Sequence, residues 1–210
     1  MQVIQDKSFR NAAFVAAIGL LVSVLAYWVV ANMHSEVKQS RFDRLVSQVS
    51  DEIARRVTLY QYGVRGARGS VVVGDLDHVP LKDFRAYSAT RDPDKEFPGA
   101  RGFGFIRRVV PSHEASFLAN VRADRPDGFS IRSLGDDYKE KFVIQLIEPE
   151  YRNRQAVGLD IASESNRRNA AILAAQLNRG VLTHPITLVQ ASGAVWQGFL
   201  FLMPVYETLS

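Results

Sequence analysis

The chain contains no cysteine. A disulfide framework, a thiolate nucleophile and any zinc site with a cysteine ligand are therefore excluded. Histidine is sparse: His34, His78, His113 and His184 lie far apart and form no His-x-His or His-x-x-x-His pair on which a metal site could be built. The basic excess is small. With 26 Lys+Arg against 22 Asp+Glu, the net charge of +4 falls short of the concentrated basic stripe of a nucleic-acid binder. No proline precedes Pro80, so nothing in the first third of the chain forces a helix to stop. What is present is ordinary for a folded protein: 210 residues, 47% hydrophobic and 23% charged, enough for one full domain and an appendage.

The apolar residues are unevenly spread. From Ala12 to Ala31 the chain reads AAFVAAIGLLVSVLAYWVVA, without a charge. About 20 such residues are what a helix needs to cross roughly 30 Å of hydrocarbon. Tyr27 and Trp28 stand near the far end, where amphipathic rings favour the headgroup zone, and Lys7 and Arg10 stand on the near side. The positive-inside tendency then keeps the amino terminus cytoplasmic and puts the following domain outside, periplasmic or extracellular. A cleaved signal peptide would have a shorter run and small residues before the cut, and a core helix would seldom stay uncharged for so long. The expected organisation is a cytoplasmic segment 1–11, a transmembrane helix 12–33, a stalk helix 34–72 and a folded domain 73–210.

Beyond the span, Phe42, Leu45, Val49, Ile53, Val57, Tyr60 and Val64 recur at steps of three and four. That is the stripe of an amphipathic helix. It can pack on its own domain, on a second copy of the chain in a homodimer, or on both along different stretches.

The remainder alternates short elements. Asp83–Tyr87 reads as a short helix, and Gly102–Val110 as a strand. A helix capped by Ser112 runs to about Arg122. Phe129–Ser133, Phe142–Ile147 and Ala156–Ile161 read as strands. Ser163 is the expected cap of a helix carrying Ala170, Leu173, Ala174 and Leu177 and stopping at Gly180. Ile186–Gln190 and Trp196–Val205 form a hairpin about Ser192 and Gly193. The fold class is α+β: an antiparallel sheet flanked by helices, an outline that a PAS-like sensor shares with other α+β sheets.

Five blocks stand in series: Phe97–Val109 (FPGARGFGFIRRV), Phe142–Pro149 (FVIQLIEP), Asn153–Arg168 (NRQAVGLDIASESNRR), Gly180–Gln190 (GVLTHPITLVQ) and Gln197–Tyr206 (QGFLFLMPVY). In this order they resemble the CHASE domain, over roughly Val73 to the end. The resemblance implies an extracytoplasmic sensory domain of histidine kinases, diguanylate cyclases or related receptors. Such a domain is held between two membrane helices and has a long amino-terminal helix and two PAS-like lobes, of which the membrane-distal one holds a small ligand. It also implies that a second lobe, a second span and an output domain would follow, so the domain is expected to be incomplete at its carboxyl end.

Asp160, in VGLDIAS, matches the aspartate with which cytokinin-receptor members contact an adenine-type base. A carboxylate just ahead of a helix start is equally favoured as a cap. Leu182 matches a position giving backbone and apolar contact to the ligand, and reads otherwise as a core leucine. Gln190 and Thr187 lie on one strand in opposite phase and cannot both face one pocket without a bulge. Phe103 and Phe105 share a strand face, as a pocket wall or as core. The region before Asp160 differs in detail from a plant receptor, so the shared aspartate implies a small polar ligand and no more.

No catalytic residue is expected. Glu148, Glu150 and Asp160 lack accompanying machinery, Gly102-Phe103-Gly104 is half of a dinucleotide fingerprint, and Arg152, Arg154, Arg167 and Arg168 are expected to answer the carboxylates as surface ion pairs. No metal, cofactor or nucleic acid is implied. The reading is a membrane-anchored sensor with a small-molecule ligand. The alternative is a membrane-anchored scaffold that binds a protein.

Overall fold

The computed structural model describes residues 2–73, 76, 79–125, 128–188 and 196–206, with the side chains of 2–13, 30–38 and 196 left aside. The chain divides into two units, Met1–Arg55 and Arg56–Ser210.

The first unit is helix. It belongs to α1, Gln2–Val73, which runs without a break through the proline-free region. The described side chains of the apolar run, Phe14 to Val29, are all exposed. Among the described residues no helix is long and apolar enough to cross a membrane. The remainder of Ala12–Ala31 lies outside the described side chains. Further along, Phe42, Leu45, Val46, Val49 and Ile53 are exposed apolar residues of the same helix, beside local polar pairs such as Arg55 with Glu52 at 2.8 Å.

In the second unit the last turns of α1 are buried. Ala67 and Val71 have 7% and 3% exposure. Gly63 has no room for a side chain, since a Cβ there would stand 2.7 Å from the Phe97 ring and 2.8 Å from Phe103. The two rings meet edge to face, with centroids 4.8 Å apart. Val71 joins Val79, Phe84 and Leu146 in one core cluster, with Phe105 packed against it. Phe84 comes from α2, Leu81–Ala89, which is longer than the Asp83–Tyr87 helix expected from sequence. The Arg91–Gly99 loop contains a single turn, α3, Pro93–Glu96, capped by Asp92.

Strands β1, Phe103–Val109, and β2, Lys141–Glu148, form an antiparallel ladder. Phe105 faces Leu146 and Ile106 faces Ile144, so Gln145 is the extra residue of a bulge. The bulge sends Leu146 and Phe105 into the α1/α2 cluster, and Ile144 and Ile106 into a separate cluster with Leu159, Ile161, Phe142, Leu200 and Leu202. Val109 and Val143 pack with Val121 and Phe129. Val121 belongs to α4, Glu114–Asp124.

Several expectations are corrected. Ser112 does not cap α4. It lies inside a 3-10 turn, Pro111–His113, whose proline takes the first turn, and α4 starts after it without a side-chain cap. Phe129–Ser133 and Ala156–Ile161 are not full strands. They shrink to the parallel bridge Arg132↔Leu159 and the antiparallel bridge Val143↔Asp160. Gly158, at φ 80°, turns the chain just before the bridged pair, and a 3-10 turn, Ile161–Ser163, ends it. Helix α6, Ser165–Leu177, is capped by Glu164, whose carboxylate accepts from the Asn166 and Arg167 amides. Ser163 is not free for that task, because its hydroxyl donates to the Asp160 carbonyl at 2.6 Å. Helix α6 ends at Asn178, in the left-handed region at φ 48°, rather than at Gly180. Of its expected inner face Ala170 and Ala174 are buried, whereas Leu173 and Leu177 are each 44% exposed.

Among the described residues the expected single sheet is three two-stranded ladders. Beside β1–β2, Val181–Leu182 (β3) pairs with Phe201–Leu202 (β6), and Ile186–Leu188 (β4) pairs with Trp196–Gly198 (β5). The strand expected over Trp196–Val205 thus divides between two partners. The Ser192-Gly193 turn lies outside the described residues. A short helix α5, Glu150–Asn153, and a 3-10 turn, Arg154–Ala156, follow β2.

Candidate functional site

Asp160 is set where the chain leaves β2's flank. Its amide donates to Arg132 O at 2.8 Å, and the Ile144 amide donates to Leu159 O at 2.9 Å. This places residues 158–160 between β2 and Arg132. The bridged backbone fixes the side chain, which is 1% exposed. Its Oδ1 accepts the Phe142 amide at 2.8 Å and the Ala162 amide at 2.9 Å. The second bond caps the 3-10 turn. Its Oδ2 is buried and has no hydrogen-bond partner. An ionised carboxylate oxygen accepts only, so Oδ2 can be satisfied only by a donor brought to it. Both readings of Asp160 therefore have a physical counterpart, one on each oxygen.

Apolar side chains adjoin the aspartate. Leu159 and Ile161, its chain neighbours, belong to the cluster that includes Phe142, Ala171, Leu200 and Leu202. On the other side the loop before β2 is drawn over the turn. The Leu134 amide donates to Ser163 Oγ at 2.9 Å. The Tyr138 ring carries the Arg168 guanidinium at 3.9 Å. Arg168 Nη1 is a second buried atom without a partner. The Lys141 ammonium, pushed up chiefly by its bond to Asp137 and lowered by burial, also feels the Asp160 carboxylate.

The other residues singled out from sequence are spread around. Leu182, on β3, is 44% exposed and lies opposite Phe201. Thr187, on β4, is exposed. Its carbonyl accepts from Arg167 at 2.5 Å and its hydroxyl accepts from Gln197 at 3.3 Å. Gln190 lies outside the described residues. Phe103 and Phe105 do share a face: Phe103 packs on Phe97 over Gly63, and Phe105 packs against the Val71 cluster. Arg107 adds a cation–π contact to Phe105 at 5.1 Å.

The arginines are not arranged as the sequence suggested. Arg152 forms a two-pronged pair with Asp94, both bonds 2.7 Å. Arg167 is buried and answers Glu164 at 3.6 Å, with its guanidinium pushed down by desolvation. Glu148 and Glu150 are met by Arg85, and Glu150 also by Arg125, whose side chain is 9% exposed. Burial opposes the charge on Glu150, but the Arg125 and Arg85 contacts outweigh it and hold the carboxyl below its ordinary range. Arg125 also reaches the carbonyl of the bulge residue Gln145 at 3.5 Å. This network borders a surface pocket of about 240 Å³ lined by Arg85, Arg91, Asp94, Glu148, Tyr151 and Arg152, among others. Sequence reasoning missed it because Arg85 and Arg125 are distant in the chain from Glu150. A glutamate held ionised between two arginines is a poor general acid. Among the described residues no three His, Asp or Glu side chains gather as a metal site.

No curated protein matches the chain. The family model for the CHASE domain matches residues 77–210, well over half of the sequence and including the Asp160 turn, the Glu150 network and all three ladders. The chain belongs to the CHASE domain family, the sensory and non-catalytic extracytoplasmic part of signalling receptors.

Proposed function

We propose that this chain is the input end of a membrane receptor, and that it holds a small polar ligand with an N–H or cationic group against Asp160. The observation that carries this reading is the buried, unpartnered Oδ2. Leaving a buried carboxylate oxygen without a donor costs free energy, and a ligand that supplies the donor recovers it. Leu182 and Thr187, on β3 and β4, are further proposed ligand contacts, whereas Phe103 and Phe105 pack toward α1. The 12–33 segment crosses the membrane with residues 1–11 in the cytoplasm, which places the sensor domain outside the plasma membrane.

The ligand shifts the packing of the domain on the last turns of α1. The exposed stripe of Phe42, Leu45, Val49 and Ile53 pairs with that of a second copy. The shift then passes along α1 to an output domain of histidine kinase or diguanylate cyclase type. Such coupling requires that the ligand bind the two states with different affinity. A second reading is a scaffold that binds a protein. It draws on the exposed Leu173, Leu177, Leu182 and Phe199.

A thermal-shift screen of the full chain in detergent, against purines, amino acids, organic acids and short peptides, tests the choice. A compound that stabilises the wild type by mass action and fails with Asp160→Asn supports the ligand reading. A folded chain that no compound stabilises, but that retains a protein partner through Leu173 and Leu177, supports the scaffold.

A further inference from the structure

Asp160 Oδ2 and Arg168 Nη1 are both buried without a hydrogen-bond partner, and they carry opposite charge. They do not pair with each other, so these two atoms are desolvated without a hydrogen bond, although Asp160 Oδ1 takes two amides and the Arg168 face lies on Tyr138.

One strap connects the two. Residues 134–142 start on the Asp160 turn, where the Leu134 amide meets Ser163 Oγ, and Ser163 Oγ in turn donates to the Asp160 carbonyl. The middle of the strap crosses Arg168 through the Tyr138 ring. Its end returns to Asp160, where the Phe142 amide meets Oδ1. Asp160 and Arg168 thus lie under the same short span of chain.

The strap is lightly held. Residues 133–137 and 139 are exposed, and Leu134, its one aliphatic side chain, is 47% exposed. Several of its polar ties are within itself or to its flank, Ser133 to Asp136, Tyr138 to Asp136 and Lys141 to Asp137, and two reach other elements, Glu140 to Arg108 on β1 and Lys141 to Glu114 on α4. A segment with few buried apolar contacts opens at low cost.

We infer that the strap roofs a bipolar subsite for a small zwitterion, with the cationic group taken by Asp160 Oδ2 and the anionic group by Arg168 Nη1. This rests on the reading of Asp160 as a ligand contact and adds to it the charge pattern of the ligand. The smallest molecules of this class are α-amino acids, which carry an ammonium and a carboxylate on one carbon. An arginine presents several N–H donors, so Arg168 can accept a carboxylate through Nη1 while its face stays on Tyr138.

The test is calorimetric titration of the full chain with four probes: L-alanine, ethylamine, propionate and adenine. Wild type, Asp160→Asn and Arg168→Gln are compared, with circular dichroism to show that each is folded. L-alanine is expected to bind at least tenfold tighter than ethylamine or propionate, and each substitution is expected to weaken it at least tenfold. Adenine binding that is lost in Asp160→Asn and unchanged in Arg168→Gln would keep Asp160 as a ligand contact and overturn the bipolar site. Propionate binding as tight as L-alanine would also overturn it, as would L-alanine binding that ignores either substitution. Failure of all four probes to bind any variant would mark Oδ2 and Nη1 as groups satisfied by solvent, and would overturn it as well. Should Asp160→Asn not fold, Arg168→Gln alone decides between these outcomes.

Discussion

The Phe142 amide donates to Asp160 Oδ1 at 2.8 Å, across 18 residues of chain. The same oxygen takes the Ala162 amide at 2.9 Å. One carboxylate oxygen thus joins the start of β2 to the turn ahead of α6, while the other is left with no donor. Asp160→Ala removes both bonds and exposes two amides in a sealed place. The expected cost is about 2–3 kcal/mol, a lost cap plus a buried unsatisfied donor. Asp160→Asn keeps an acceptor oxygen and is expected to cost about 1 kcal/mol. Urea denaturation of the two variants checks the order.

Glu150 stands between Arg125 and Arg85. Its carboxyl is held below its ordinary value of 4.5. A depressed carboxylate contributes stability that is present above the unfolded value and is lost as pH falls through the folded one. The melting temperature of the wild type is therefore expected to fall more steeply below about pH 4.5 than that of Glu150→Gln. At neutral pH that variant leaves the Arg125 guanidinium buried without a carboxylate. A loss of about 2–3 kcal/mol is expected, under the roughly 3–5 kcal/mol of a fully buried pair, because Arg85 is half exposed. Melting curves from pH 7 to 3 read both effects.

Gly158 has φ 80°, and a Cβ there would stand 2.2 Å from the Ser130 carbonyl oxygen. Backbone cannot yield as a flexible side chain can. Gly158→Ala combines a left-handed conformation with a backbone clash and is expected to cost about 3 kcal/mol or more. Gly128 also has a positive φ, 87°, but open space around it. Gly128→Ala is expected to cost only about 1–2 kcal/mol. Equal costs in chemical denaturation would contradict this account of the 158–160 turn.

The dimer proposed for α1 uses Val49 and Ile53, both 58% exposed. Val49→Glu together with Ile53→Glu is expected to halve the mass of the full chain in detergent, measured by light scattering, and to leave the melting of the sensor domain unchanged. An unchanged mass would remove the stripe as the dimer contact.

Much of this was legible from residues. The three- and four-step stripe and the absence of proline mark α1, and the apolar runs mark β1, β2 and the β4–β5 pair. The short elements were harder. Ala156–Ile161 looks like a strand because Val157, Leu159 and Ile161 alternate, yet Gly158 spends that alternation on a turn. Ser163 looks like a cap because serine ahead of a helix usually is, but its hydroxyl is taken by Asp160 and Leu134. Glu164 caps instead. For the site, Asp160 was visible through its block, whereas the pairing of Arg85 and Arg125 with Glu150 depends on contacts across 65 and 25 residues. Periodicity carries no information at that range.

Asp160 Oδ2 is proposed to take a donor from a small ligand. The most direct measurement is the dissociation constant of a stabilising compound for wild type and Asp160→Asn, both shown to be folded. Loss of a charge-assisted bond is worth about 1.5–3 kcal/mol, so affinity is expected to fall about 10- to 150-fold. Equal affinity in the two proteins would contradict the claim and leave Asp160 as a cap alone.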